Sequence, residues 1–109
     1  NFFVIDLIAR LKCRPLLVSR SGLGTINHSL LSAEALSRRR IRPVGIVFNR
    51  LKGGAFSLAE KTNPSVVSGL SGIPSLGVFP YVSFGKRKVN FDQLGRLFLK
   101  HIDLEKILC

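Results

Sequence analysis

The stretch SGLGTINHSLLSAEAL, Ser21 to Leu36, joins a buried strand to a helix and sets the fold. It follows the apolar run Leu16, Leu17 and Val18, and it opens a segment in which Ile26, Leu30, Ala33 and Leu36 recur at helical spacing. A turn over Ser19 to Gly24 connects the two. Thr25 is the expected cap, with Asn27 and His28 in the first turn, and the helix is expected to finish in Arg38, Arg39 and Arg40, where positive charge complements the macrodipole.

Upstream, Phe3, Val4, Leu7, Ile8 and Leu11 share one helical face, and Asp6 and Arg10 stand four apart, able to pair on the solvated side. Arg14-Pro15 ends that helix, because proline disfavours helical geometry in the residue before it. Leu16 to Val18 then read as a strand buried on both faces. Downstream, Pro43 opens a second apolar strand, Val44 to Phe48, with Asn49 at its end. Leu51 to Thr62, with Gly53-Gly54, reads mostly as loop with a helical turn around Leu58. Asn63-Pro64 has the form of a helix start, Val66, Val67 and Leu70 give it an apolar face, and Gly72 ends it.

A third strand is expected over Ser75 to Phe79, stopped by Pro80. Asn90 and Gln93 suggest a capping box for a helix carrying Phe91, Leu94, Leu97 and Phe98, and Asp103 caps a last short turn. This alternation implies an open α/β fold: a parallel sheet with right-handed crossover helices, within one domain spanning residues 1–109.

Composition narrows the function classes. Hydrophobic residues make up 46% of the 109 and charged ones 21%, a balance for burial and against disorder. The net charge of +11 raises nucleic acid or an anionic surface as partners, but the basic residues are dispersed, and one Tyr with no Trp offers little for base stacking. Cys13 and Cys109 form no metal-binding spacing and no disulfide framework. No apolar run reaches membrane-spanning length and the opening residues lack a signal-peptide pattern, so a cytoplasmic, soluble protein is expected. A first residue other than Met suggests chain upstream of Asn1.

In open α/β sheets ligands bind beyond the carboxyl ends of the strands, which here carry the loops Ser19 to Thr25, Asn49 to Gly54 and Pro80 to Lys88. The first leads to a helix N-terminus suited to a carboxylate or phosphate, with Gly22 and Gly24 permitting close approach, although an ordinary glycine turn has the same signature. His28 has no carboxylate partner in sequence reach, and Ser19, Ser21 and Ser29 lie in no nucleophile elbow, so no catalytic residue is assigned. Asn49 fits an adenine edge and a turn equally well. A Gly-rich phosphate loop ending in Lys-Ser/Thr is missing from the sequence, as is an acidic cluster for a metal.

SGLGTINHSLL with Glu34-Ala35-Leu36, PVGIVFN over residues 43–49 and LSGIPSLGVFP over residues 70–80 together resemble the dethiobiotin synthetase family. The resemblance covers most of the chain as that family's C-terminal part, the C-terminal half of a P-loop NTPase-like domain. It implies an ATP- and magnesium-dependent ligase of biotin synthesis that closes the ureido ring of dethiobiotin from 7,8-diaminopelargonate and CO2. The phosphate loop and the magnesium carboxylates would lie in an N-terminal half outside these residues, so that the 109-residue chain alone is expected to be inactive and prone to association. Gly24, Thr25, Ile26 and Asn27 match the turn that holds the substrate carboxylate across a homodimer interface, and Asn49, Pro80, Tyr81 and Val82 match positions around the nucleotide. Where some members place an acidic residue for the ribose, this chain has Arg87. The alternatives are a basic, non-catalytic nucleic-acid-binding module and a related P-loop amidotransferase-type synthase.

Overall fold

In a computed structural model, which describes residues 3–108, three parallel strands lie in the order β1-β2-β3: β1 Leu16–Arg20, β2 Gly45–Asn49 and β3 Ser75–Phe79. Asn1 and Cys109 fall outside the described residues; Cys13 is an exposed free thiol. Helices α1 (Val4–Leu11), α2 (Thr25–Arg38), α3 (Leu58–Ser71), α4 (Phe91–His101) and α5 (Leu104–Leu108) precede, connect and follow the strands. The expected open parallel α/β sheet is therefore present.

The central strand carries the core because its successive side chains point to opposite faces and both faces are covered. On one side Ile46 and Phe48 pack with Val67 and Ile73, flanked by Ile26 and Ala33 of α2. On the other, Val47 and Leu76 meet Ile102, with Phe98 of α4 and Ile107 of α5 alongside. Each fully buried apolar side chain here contributes roughly 1.5–3 kcal/mol.

The strand β1 departs from expectation. Leu16 and Val18 are 37% and 66% exposed, so only Leu17 and Ser19 turn toward the body. The register pairs Val18 with Val47 and puts both on the α4–α5 face, but those helices cover β2 and β3 and leave the edge strand bare. The apolar stripe of α1 is likewise uncovered, with Val4 and Leu11 exposed and no buried residue in the helix. Asp6 accepts from the Phe3 N–H at 2.7 Å and pairs with Arg39 at the end of α2, while Arg10 adds a favourable charge, rather than Asp6 serving Arg10 alone.

A second correction concerns α3, which starts at Leu58 and not at Asn63-Pro64. Ser57 Oγ accepts from Glu60 N–H at 3.2 Å and the Glu60 carboxylate accepts from Ser57 N–H at 3.1 Å, a reciprocal capping box. Pro64 is inside the helix. Of the expected apolar face only Val67 is buried; Val66 and Leu70 are exposed, and Gly72 ends the helix at φ +73° as expected.

Asn90 Oδ1 caps α4 by accepting from Gln93 N–H at 3.0 Å, and Asp103 caps α5 through Lys106 N–H at 3.3 Å. Phe91 stays exposed. The end of α4 docks on β3 at Gly77, where φ is +130° and an added methyl would collide with the His101 carbonyl oxygen, so only glycine serves.

Candidate functional site

Parallel pairing aligns Arg20 with Asn49 and Asn49 with Phe79, so all three strands end at one edge. Two bonds extend the ladder past them: Ser21 N–H to the Asn49 carbonyl and Arg50 N–H to the Phe79 carbonyl, both at 3.1 Å. The three loops thus leave from one line. Between the first two lies a cleft of about 500 Å³, lined by Arg20, Ser21, Gly22, Leu51, Lys52 and Glu60 among others. A larger concavity, about 720 Å³, sits at the opposite edge beside Arg14, Arg40 and Arg42. Arg14 is committed there to the Arg42 and Pro43 carbonyls, and the ends of α2 and α3 present their carbonyl termini to that side. The cleft at the strand carboxyl ends is the better candidate.

Helix α2 begins differently from its expected form. Its N-cap is Gly24, at φ +87°, and no side chain caps it. Thr25 is instead the first helical residue, 2% exposed, with Oγ1 3.3 Å from Ser29 Oγ, which donates to Ser19 Oγ at 2.9 Å. These hydroxyls fasten α2 to β1, which explains the serines without nucleophilic chemistry. Ile26 packs toward the core, whereas Asn27 and His28 are exposed. At this helix start, therefore, Asn27 offers a side chain and the backbone at Gly24 and Ile26 is on hand, while the Thr25 N–H donates to the Gly22 carbonyl at 3.3 Å. An added methyl on Gly22 or Gly24 would meet nothing within 4 Å, so the space in front of the turn is open.

Asn49 is half-buried at the end of β2. Beyond β3, Pro80 and Val82 are half-buried and Tyr81 is 44% exposed. Tyr81 lies beside the second loop, its Cδ1 standing 3.3 Å from where a methyl on Gly53 would be. Asn49 and the Pro80 to Val82 segment are thus neighbours at one edge, while Lys86, Arg87 and Lys88 are exposed, with Arg87 N–H closing a turn on the Phe84 carbonyl.

The groups that organise this edge are ones the sequence reading passed over. Arg50 and Glu60, 8% and 4% exposed, form a buried ion pair with Nε 2.8 Å from Oε2. Arg50 also donates to the Gly54 and Ala55 carbonyls and lies 4.0 Å from the centre of the Phe56 ring. Ser21 Oγ donates to Glu60 at 3.1 Å, and Asn63 Nδ2 reaches the Ser21 and Gly22 carbonyls at 3.4 and 3.0 Å. The Arg50 guanidinium first, then the Ser57 N–H, hold the Glu60 carboxyl down at about 2 against the opposing effect of desolvation. The spacing Ser57-x-x-Glu60 was the available signal, masked by the neighbouring glycines and Pro64.

The sequence model of the family described as an AAA domain matches residues 1–85. The chain belongs to that family. It is also similar to proteins named ATP-dependent dethiobiotin synthetase BioD. It is 38% identical over 107 residues to the one from Thermodesulfovibrio yellowstonii, which is 98% of this chain and 43% of the relative. It is 39% identical over 105 residues to that from Haloferax mediterranei, covering 96% and 42%, and 41% identical over 100 residues to that from Brucella anthropi, covering 92% and 42%. The chain spans less than half the length of these curated relatives. The resemblance read from SGLGTINH, PVGIVFN and LSGIPSLGVFP is borne out.

Magnesium does not fit the residues at hand. Among the described residues no group of three His, Cys, Asp or Glu stands together, and the one acid in the cleft, Glu60, is committed to Arg50. No helix of the described residues is long and apolar enough to cross a membrane.

Proposed function

We propose that this chain forms the base-reading and carboxylate-receiving part of a cytoplasmic ATP-dependent dethiobiotin synthetase, which closes a ureido ring on 7,8-diaminopelargonate with CO2. The observation that carries the reading is similarity to dethiobiotin synthetases over 98% of the chain. The arrival of the Ser21–Gly24, Asn49 and Pro80–Val82 segments at one sheet edge supports it.

Asn27 and the backbone at Gly24 and Ile26 receive the substrate carboxylate, aided by the positive end of α2. In this reading the receiving turn serves the site of a second subunit in a homodimer. Asn49 reads the adenine edge, with Pro80, Tyr81 and Val82 packed along the base. Magnesium and the phosphate-handling groups come from residues outside this chain, and no chemical step is assigned to the residues described.

The test is dethiobiotin formation by the complete protein. Replacing Asn27 with alanine should raise KM for the diamino acid roughly tenfold or more, as expected for losing a hydrogen bond to a charged group. KM for ATP should hold. An unchanged KM for the diamino acid would remove the carboxylate role, and turnover by the 109-residue chain alone would show the division of labour to be mistaken.

A further inference from the structure

The turn that precedes α2 is held from behind by side chains of α3. We propose that Asn63, acting with Glu60 and Ser21, is a positioning residue that keeps the Ser21–Gly24 turn in the conformation that receives the substrate carboxylate. This inference rests on the function proposed above.

Asn63 is 5% exposed, and its one amide group donates toward two successive carbonyls of the turn, Ser21 and Gly22. One helical turn earlier, Glu60 accepts from Ser21 Oγ, and Ser21 itself is 1% exposed. The turn is therefore fixed on its inner side, while its outer side is open at both Gly22 and Gly24. A segment with two glycines has wide backbone freedom, and a ligand that had to order it would bind more weakly. Asn63 and Glu60 remove that freedom before any ligand arrives.

Packing alone does not explain the choice of residues. The apolar contact between α3 and the sheet is made by Val67 with Ile46 and Phe48, and an amide buried merely to fill space would carry a desolvation penalty that an apolar side chain avoids. The amide is matched instead to the carbonyls of the loop. Asn49 accepts from the Ser21 N–H of the turn, but bonds that do not involve Asn63 also hold it, since its neighbour Arg50 donates to the Phe79, Gly54 and Ala55 carbonyls and to Glu60. Loss of Asn63 should thus disturb the carboxylate end of the site and spare the base end.

In the complete protein, Asn63→Ala is expected to raise KM for 7,8-diaminopelargonate roughly tenfold while kcat and KM for ATP stay within about twofold. Combined with Asn27→Ala it should raise KM by less than the product of the two single effects, because Asn27 meets the carboxylate only while the turn before α2 is held in place. An unchanged KM, or effects that multiply, would overturn the proposal. Should Asn63→Ala fail to fold, Ser21→Ala removes one hydroxyl from the same cluster and should raise that KM about threefold; no rise would count equally against it. Failure of the underlying function looks different: no dethiobiotin from the wild type, or an unchanged KM with Asn27→Ala, and either outcome defeats this inference as well.

Discussion

Four hydrogen bonds converge on the Glu60 carboxylate: two from Arg50, one from Ser21 Oγ and one from Ser57 N–H. They favour the ionised form and hold the Glu60 carboxyl at about 2, well below the ordinary glutamate value of 4.5 expected once the chain unfolds. A depressed folded pKa gives stability that is complete above about 4.5 and is lost as pH falls toward about 2. Asp6 is lowered too, through Phe3 N–H and then Arg39, and adds to the same acid loss. Urea midpoints between pH 6 and 2 should therefore fall steeply for the wild type and less steeply for Glu60→Gln. Identical slopes would show that the pair is not what links folding to protons. Of these bonds only the one from Ser57 N–H had a signal in the spacing; the Arg50–Glu60 pair had none, since a glycine-rich loop separates the two and they meet only once that loop closes. Thr25 misled for a related reason: threonine is a good cap, but a glycine with positive φ just before it moved the helix start by one residue and turned the hydroxyl inward.

The strands and four of the five helices were readable as elements because apolar periodicity and capping residues agreed locally. Helix α3 was readable only from Asn63 onward. Two signals competed there, Asn63-Pro64 as a start and Ser57-Leu58-Ala59-Glu60 as a capping box, and the capping box won because burial of Glu60 and Asn63 against the turn outweighs a proline inside the helix. If the box sets the start of α3, Ser57→Ala should lower stability by about 1 kcal/mol, read as a lower urea midpoint with unchanged slope. A change within error would mean that tertiary contacts alone define the start. The two-sided burial expected of β1 failed because a short apolar run has the same sequence in a central or an edge strand. Helix cover decides: β1 and β3 are both edge strands, but α4 and α5 pack against β3 and leave that face of β1 bare.

Across the whole molecule, apolar surface is unevenly covered. Val18 and Leu16 on β1, with Val4 and Leu11 on α1, face outward, and β1 has an open hydrogen-bonding side. Exposed edge strands of this kind promote association. The 109-residue chain should sediment as a concentration-dependent mixture at micromolar levels, and Val18→Lys should shift it toward monomer. A monodisperse monomer at every concentration would contradict this. The parallel sheet has a last consequence, for how the chain can organise itself. Leu16 pairs with Gly45 and Ile46 with Ser75, each across 29 residues, and neither pairing has a hairpin to start from. Closing one such loop costs about 3 kcal/mol in chain entropy before any strand contact compensates. Helices α2 and α3 coil most of the intervening chain and so shorten the span to be closed, which makes the turn that begins α2 a part of how the first two strands are brought together as well as of the site.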